Sequence, residues 1–454
     1  MERKIIKNII LAWVFFPVVS VIVSQTDAPQ SQPKVPLNPI RVYKVTSYLL
    51  TCMYENLTGP FIPSILQYGW HKLSSDGKKK PSVRKNIRYG PKPRNRLDVY
   101  LPDHVSATAS KNNNKKCNDN TGHAAFTNQQ QNDIPVIIFI GTSWNSGNKD
   151  TCMPVAHNLQ SQGYIVIVPD ITIYPIGKIA EMVTDIQLCI YWAHTHIRSF
   201  RGDPSQIYLM GHGAGSILSA LTVIHDVCAT LNVLPPNNTN VNIPLWDNNI
   251  RKTGSPRVHG LILFSGVYDI TYYYAYLYQR GLEQVHALPR VMGNKSDAFL
   301  QCSPAYLLNY ALNNVHNREQ LKMLLPRKVV LFHGDQDTFN PVTTTHNFYS
   351  LLNSAGIPSV KLNIYDHVKH ISPKIDLIVP TRPLCVKILK DIKECCKGHG
   401  GVVVGSQLKE KRDEKEMTNQ DKTKTRNSRR RMSQRAIKII RPVYFAKILL
   451  IMMC

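Results

Sequence analysis

The sequence predicts an α/β fold, with a mostly parallel central sheet and helices on both faces. Three observations carry the prediction. Apolar runs of strand length recur from residue 136 to residue 365. Segments of helical periodicity lie between them, notably "GKIAEMVTDIQLCIYWAHTHIRS" at 177–199. The run "QIYLM" (206–210) also passes through a glycine-rich turn, "GHGAG", directly into a further helical stretch. Strands that are apolar along their whole length are buried on both faces, and that requires helical crossovers above and below a parallel sheet.

In chain order, "YGPKPRNRLDVYLP" (89–102) ends in strand-like alternation. The strand runs that follow are "VIIFI" (136–140), "YIVIVP" (164–169), "QIYLM" (206–210), "VHGLILF" (258–264), "KVVLF" (328–332) and "VKLNIY" (360–365). Between the fourth and fifth of these, "VYDITYYYAYLY" (267–278) holds six tyrosines. It is expected to be a cap helix or loop that either walls an apolar pocket or packs on its own core. In such sheets functional groups gather at the carboxyl ends of the strands.

The flanks read differently. Residues 1–24 have a basic start, "MERK", and an apolar run from Ile9 to Val23 broken only by Ser20, the pattern of a signal peptide or an N-terminal membrane anchor. Entry into the secretory pathway, to the endoplasmic reticulum or another endomembrane or out of the cell, is the expected location. Sequons at Asn56, Asn237 and Asn294 are compatible with it. Residues 40–70 are apolar with prolines at 60 and 63, either an interfacial helical segment or a helix covering the core. The basic stretch 72–88 reads as a linker, and 105–133, "VSATASKNNNKKCNDNTGHAAFTNQQQND", as a low-complexity disordered insertion. The α/β domain is bounded at 86–398. Beyond it, 406–454 is a basic tail expected to be disordered, with a short hydrophobic end, "VYFAKILLIMMC", too short to span a bilayer. The net charge of +25 is concentrated in that tail and in 72–88, where it can attract anionic lipid. No nucleic-acid fold signature accompanies it, so nucleic acid is excluded as a partner. Ten cysteines form no tidy framework and no C-x-x-C pair, and the neighbouring Cys395, Cys396 and His399 make a poor metal site. No metal and no cofactor is expected.

The turn "YLMGHGAGS" (208–216) admits two explanations. A phosphate-binding loop needs a third glycine where Ser216 stands, and an acidic residue at the end of a following strand, which is missing. A nucleophile elbow, G-x-S-x-G, matches in layout but has Gly213 at the central position. Two downstream loops favour the elbow. "LFHGDQDTFNPV" (331–342) is a strand followed by Asp337, and "IYDHVKHIS" (364–372) is a strand followed by His370. Nucleophile, acid and histidine in that chain order converge at strand ends. His212 is a candidate pocket-lining residue; His367 with His370 lacks the carboxylates a metal would need.

On these residues the chain from about 86 to 375 resembles the α/β-hydrolase superfamily. It is most similar to the esterase branch holding isoprenylcysteine methylesterase-like, kynurenine formamidase-like and feruloyl/acetyl esterase-like proteins. The matching stretches are "YGPKPRNRLDVYLP", "IGTSWNSGNK" (140–149), "VPDITIYPIG", "VTDIQLCIYWA", "RGDPSQIYLMGHGAG", "FSGVYDI", "HGDQDTFNPV" and "YDHVKH"; "RGLEQVHALPRVMG" (280–293) and "SPAYLL" add to the likeness with the prenylcysteine-methylesterase group. The resemblance implies an α/β-hydrolase fold with a small cap, and a catalytic Asp337 and His370. It also implies an oxyanion hole at Gly141, Thr142 and Ala214, and a small-molecule or lipid-like ester as substrate or ligand. Two departures fall at the chemistry. The nucleophilic serine of the family is Gly213 here, and the family's H-G-G-x-W is Ile140-Gly141-Thr142-Ser143-Trp144.

Gly213 removes covalent catalysis while sparing the fold, because glycine adopts the strained elbow conformation without the roughly 1–3 kcal/mol that another residue bears. Ser216, inside the first helical turn, is not expected to substitute. Two functions follow as expectations. One is an impaired carboxylic-ester hydrolase in which Asp337 and His370 activate water directly. The alternative is a non-catalytic ligand-binding or scaffold pseudohydrolase at a membrane.

Overall fold

Alternation along one strand sets the layers. In β3 (Ile134–Ile140), Val136, Ile138 and Ile140 point to one face of the sheet, while Ile137 and Phe139 point to the other. The first set packs on Met182 and Ile186 of one helix and Ile217 and Leu221 of another; the second packs on Val155, Leu159, Ile388 and Ile392. Each such side chain stabilises the fold by about 1.5–3 kcal/mol relative to its exposed state. The computed structural model describes residues 82–102, 134–236, 243, 256–283, 286–293 and 296–396. The expected leader or anchor, the apolar segment 40–70, the insertion 105–133, the tail 406–454 and all three sequon asparagines lie outside these residues.

The other strands are β1 (Ser82–Arg88), β2 (Arg96–Leu101), β4 (Ile165–Pro169), β5 (Gly202–His212), β6 (Gly260–Phe264), β7 (Lys328–Gly334) and β8 (Ser359–Tyr365). They form one eight-stranded sheet in the order β1-β2-β4-β3-β5-β6-β7-β8. The β1–β2 and β2–β4 pairs are antiparallel and every other pair is parallel. This is the α/β-hydrolase fold. One expectation is corrected here: residues 82–88, taken as part of a basic linker, form edge strand β1. Its charges do not prevent pairing because Arg84 and Lys85 are exposed, while Val83 and Ile87 are half-buried. Charges on an outer strand also discourage pairing with other chains.

The helices are α1 (Lys149–Ser161), α2 (Ile179–His196), α3 (Ala214–Thr230), α4 (Ile270–Gln279), α5 (Ala287–Val291), α6 (Ser296–Gln301), α7 (Pro304–Asn314), α8 (Arg318–Leu324), α9 (Val342–Ser354), α10 (Ser372–Asp376) and α11 (Pro383–Cys396). Helices α4 to α8 fall between β6 and β7, and the tyrosine-rich stretch is α4. Its start is capped by the Asp269 carboxylate, which accepts from the Tyr272 amide at 3.0 Å. The seven described cysteines are buried and free, with no disulfide among the described residues. Because β3, β5, β7 and β8 run parallel, the loops after them open on one edge of the sheet.

Candidate active site

The turn after β5 is built by close packing. A Cβ on Gly215 would stand 1.9 Å from the Ile140 carbonyl oxygen, and one on Gly211 would stand 2.3 Å from the Gly215 carbonyl. Glycine at both positions lets α3 start directly against β3 and β5. Between them Gly213 takes φ 55°, ψ −115°, a conformation that favours glycine. Its amide donates to the Phe264 carbonyl at 2.9 Å, and its carbonyl accepts from the Ser216 amide at 3.1 Å.

The loop after β7 brings Asp337 to the same edge. One carboxylate oxygen, Oδ1, accepts from the amides of Phe339 at 2.9 Å and Asn340 at 2.8 Å. The other, Oδ2, lies 2.8 Å from His370 Nδ1 and 3.1 Å from His333 Nε2. Burial pushes this carboxyl up, but the charge of His370 and the hydrogen bonds from His333 and His370 outweigh burial and hold it well below the usual carboxylate range. Asp337 is therefore ionised and its carboxylate is satisfied by four donors.

His370 lies on the loop after β8. Its carbonyl accepts from His212 Nε2 at 2.9 Å and from the Ser265 hydroxyl at 3.4 Å, which fixes the loop from below. Burial, then the neighbouring charges of His370 and Lys374, lower the basicity of His212 far enough to keep it neutral. With Nδ1 on Asp337, the His370 ring presents Nε2 to the turn: a Cβ built on Gly213 would stand 3.3 Å from it. Structure thus brings together positions 213, 337 and 370, with hydrogen in place of a side chain at the first.

Gly213 and His370 line a cleft of about 130 Å³. Trp144, Ile217, Tyr273 and Phe339 supply apolar wall, and Thr142, Ala214 and Gly141 form the side next to Gly213. Thr142 is only 3% exposed, and its hydroxyl has no hydrogen-bond partner among the described residues. Two polar lining groups escaped the sequence reading. His286, whose Nδ1 accepts from the Leu288 amide at 3.1 Å, is held neutral by burial and the Arg290 charge, which lower it to about 4. Lys374 Nζ donates to the Gly141 carbonyl at 3.0 Å. His333 and Asn340 were missed as supports of Asp337; the strand-end "HGDQD" places His333 four residues before the acid and was the available signal. Lys374 sits four residues after His370, one helical turn on, but lysine at that spacing has no distinctive meaning in sequence.

Ser216 lies apart from this chemistry. It is fully buried, donates to the carbonyls of Gly211 at 2.7 Å and Phe264 at 2.8 Å, and accepts from the Phe264 amide at 2.9 Å. His367 is exposed and pairs with the Gln336 side chain at 2.8 Å. Among the described residues no group of His, Cys, Asp and Glu side chains is arranged to hold a metal, and no helix is long and apolar enough to cross a membrane.

A model of the BD-FAE family matches residues 125–352, half of the chain. A probable isoprenylcysteine alpha-carbonyl methylesterase of Arabidopsis thaliana is 26% identical over 352 residues, which is 77% of this chain and 62% of that protein. A kynurenine formamidase of Danio rerio is 25% identical over 189 residues, 41% of this chain and 46% of that protein. Among solved structures, esterase B from Lactobacillus rhamnosis matches with a TM-score of 0.47 at 14% identity, covering 77% of this chain and 95% of that one. The chain spans less than two thirds of the length of the first of these relatives.

Proposed function

The chain belongs to the BD-FAE family, and on that premise we propose that it is an esterase-family protein whose covalent route is closed and whose pocket still takes a small-molecule ester or its acid. One observation carries this: the His370–Asp337 pair, hydrogen-bonded at 2.8 Å, faces Gly213, which has no side chain to deprotonate. An acyl-enzyme requires a hydroxyl or thiol at that point. In serine hydrolases, loss of the nucleophile alone costs on the order of 10⁶ in kcat, leaving about 10³–10⁴ over water from the oxyanion hole and binding. The backbone amides on the Thr142 and Ala214 side of the cleft are the groups assigned to an oxyanion. The resemblance to isoprenylcysteine methylesterases favours an ester of that general kind as the ancestral substrate.

The intact dyad also supports a second reading, slow hydrolysis by water that His370 activates directly. A fluorophosphonate probe separates both from an ordinary serine esterase. The wild-type chain is expected to resist labelling, and a covalent adduct mapped to any serine of the cleft, or to Ser216, overturns the proposal. For location, residues 1–24 favour entry into the secretory pathway.

A further inference from the structure

The charges around the cleft do not balance. No Asp or Glu lines it among the described residues, and Asp337 stands behind His370 with its oxygens occupied by four donors. Lys374 does line it, half-buried, with one of its three ammonium N–H groups on the Gly141 carbonyl and no ion pair to an Asp or Glu among the described residues. A partly desolvated ammonium without a counter-ion is unfavourable, and an incoming anion relieves it.

Three further features of the same wall favour negative charge. The 17-residue helix α3 begins at Ala214, so its positive end and first amides face the cleft. Thr142 keeps a buried hydroxyl without a partner among the described residues, a donor available to a ligand oxygen. His286, neutral and with Nδ1 occupied by the Leu288 amide, carries its proton on Nε2. Among the described residues no lining group offers a carboxylate against which an anion would be repelled.

We propose that the cleft is a carboxylate-binding site, in which Lys374 and His370 hold the acid group of a small anion and the apolar wall of Trp144, Ile217 and Phe339 holds its hydrocarbon. With glycine at 213, one carboxylate oxygen fits where the hydroxyl of a serine would stand. His370, whose Nδ1 proton goes to Asp337, donates to that oxygen from Nε2 as the imidazolium, the second proton arriving with the acid, and Lys374 meets the charge. The neutral ester of the same acid lacks that charge and binds less tightly. This inference rests on the proposed function, since a functional nucleophile would occupy the same space. A cleft of about 130 Å³ suits a short acyl group, because an engineered cavity of roughly 150 Å³ accommodates benzene.

The test is calorimetric titration of the full chain with butyrate, butyramide and inorganic phosphate, in wild type, Lys374→Met and Lys374→Arg. Wild type is expected to bind butyrate at least tenfold more tightly than butyramide. Lys374→Met should abolish that preference while keeping butyramide affinity, and Lys374→Arg should retain most of it. Equal binding of butyrate and butyramide by wild type, or phosphate in preference to butyrate, overturns the carboxylate assignment while leaving a ligand pocket intact. Failure of wild type to bind any of the three overturns the pocket itself, and with it the proposed function. If Lys374→Met does not fold, as thermal melting would reveal, the wild-type preference and Lys374→Arg decide the matter.

Discussion

Replacing Gly213 with serine places a Cβ 3.3 Å from His370 Nε2. That contact is tight by a few tenths of an ångström, and the ring has room to give because its side chain is 18% exposed. From there the hydroxyl comes within the ~2.6–3.2 Å that a general base needs. Serine must also accept φ 55°, ψ −115°, at a cost of roughly 1–3 kcal/mol. A domain of this size loses about 2–4 °C in Tm for each kcal/mol, so the variant should melt several degrees lower and stay folded at 25 °C. Gly213→Ser should then label with fluorophosphonate at position 213 and hydrolyse short acyl esters about 10⁴–10⁶ times faster than wild type. Adding His370→Ala should return the rate to the wild-type level. Because Thr142 stands where the family has glycine, Gly213→Ser with Thr142→Gly is the companion variant. If both variants fold, and neither labels nor hydrolyses a broad ester panel above background, the dyad geometry is not that of a working triad.

Ser216→Ala should lower stability by about 1–3 kcal/mol, because the buried Phe264 amide loses its acceptor, and should leave probe labelling unchanged; unaltered melting together with a loss of activity would reinstate Ser216 as a chemical group. Asp337 is held below its ordinary range, so its stabilisation is complete above the unfolded value near ~3.9 and is lost as pH falls through the lower folded value. The melting gap between wild type and Asp337→Asn should therefore be flat near neutrality and close below about pH 4; a gap that widens on acidification contradicts the ion pair. A glycosidase-sensitive, membrane-fractionating protein is expected from residues 1–24 and the sequons at Asn56, Asn237 and Asn294, and a wholly cytosolic chain without glycan would refute that.

The parallel strands were legible because their signal is local. "YIVIVP" is buried on both faces, and "QIYLM" runs into a turn whose glycines are dictated by contacts with Ile140 and with each other. The positions of Asp337 and His370 were legible because strand ends of a parallel sheet share an edge. Strand β1 was not, since an outer strand needs only Val83 and Ile87 half-buried and its charges mimic a linker. Lys374 and His286 were invisible for a different reason. Each acts through a partner far off in sequence or through burial, as Lys374 does on the Gly141 carbonyl 233 residues away, and no pattern of residue types encodes such a contact.

The dyad has a reason to persist that is independent of catalysis. Asp337 is buried and ionised, and half of its hydrogen bonds come from His370 and His333 while the other half hold the 337–340 turn. Removing His370 takes one of four donors from a buried carboxylate, a change of about 1.5–3 kcal/mol. The His370 carbonyl in turn anchors His212 at the end of β5 and the Ser265 hydroxyl after β6. Losing the His370 side chain thus loosens Asp337 and its turn, while the carbonyl that anchors His212 and Ser265 stays with any residue at 370. No such structural duty falls on Lys374, whose one hydrogen bond among the described residues is to a backbone carbonyl. His370→Ala in wild type should accordingly lower Tm by far more than Lys374→Met, even though both line the same cleft. Equal losses in the two variants would mean that Lys374 is also held for the fold, and would remove the physical ground for assigning it to a ligand.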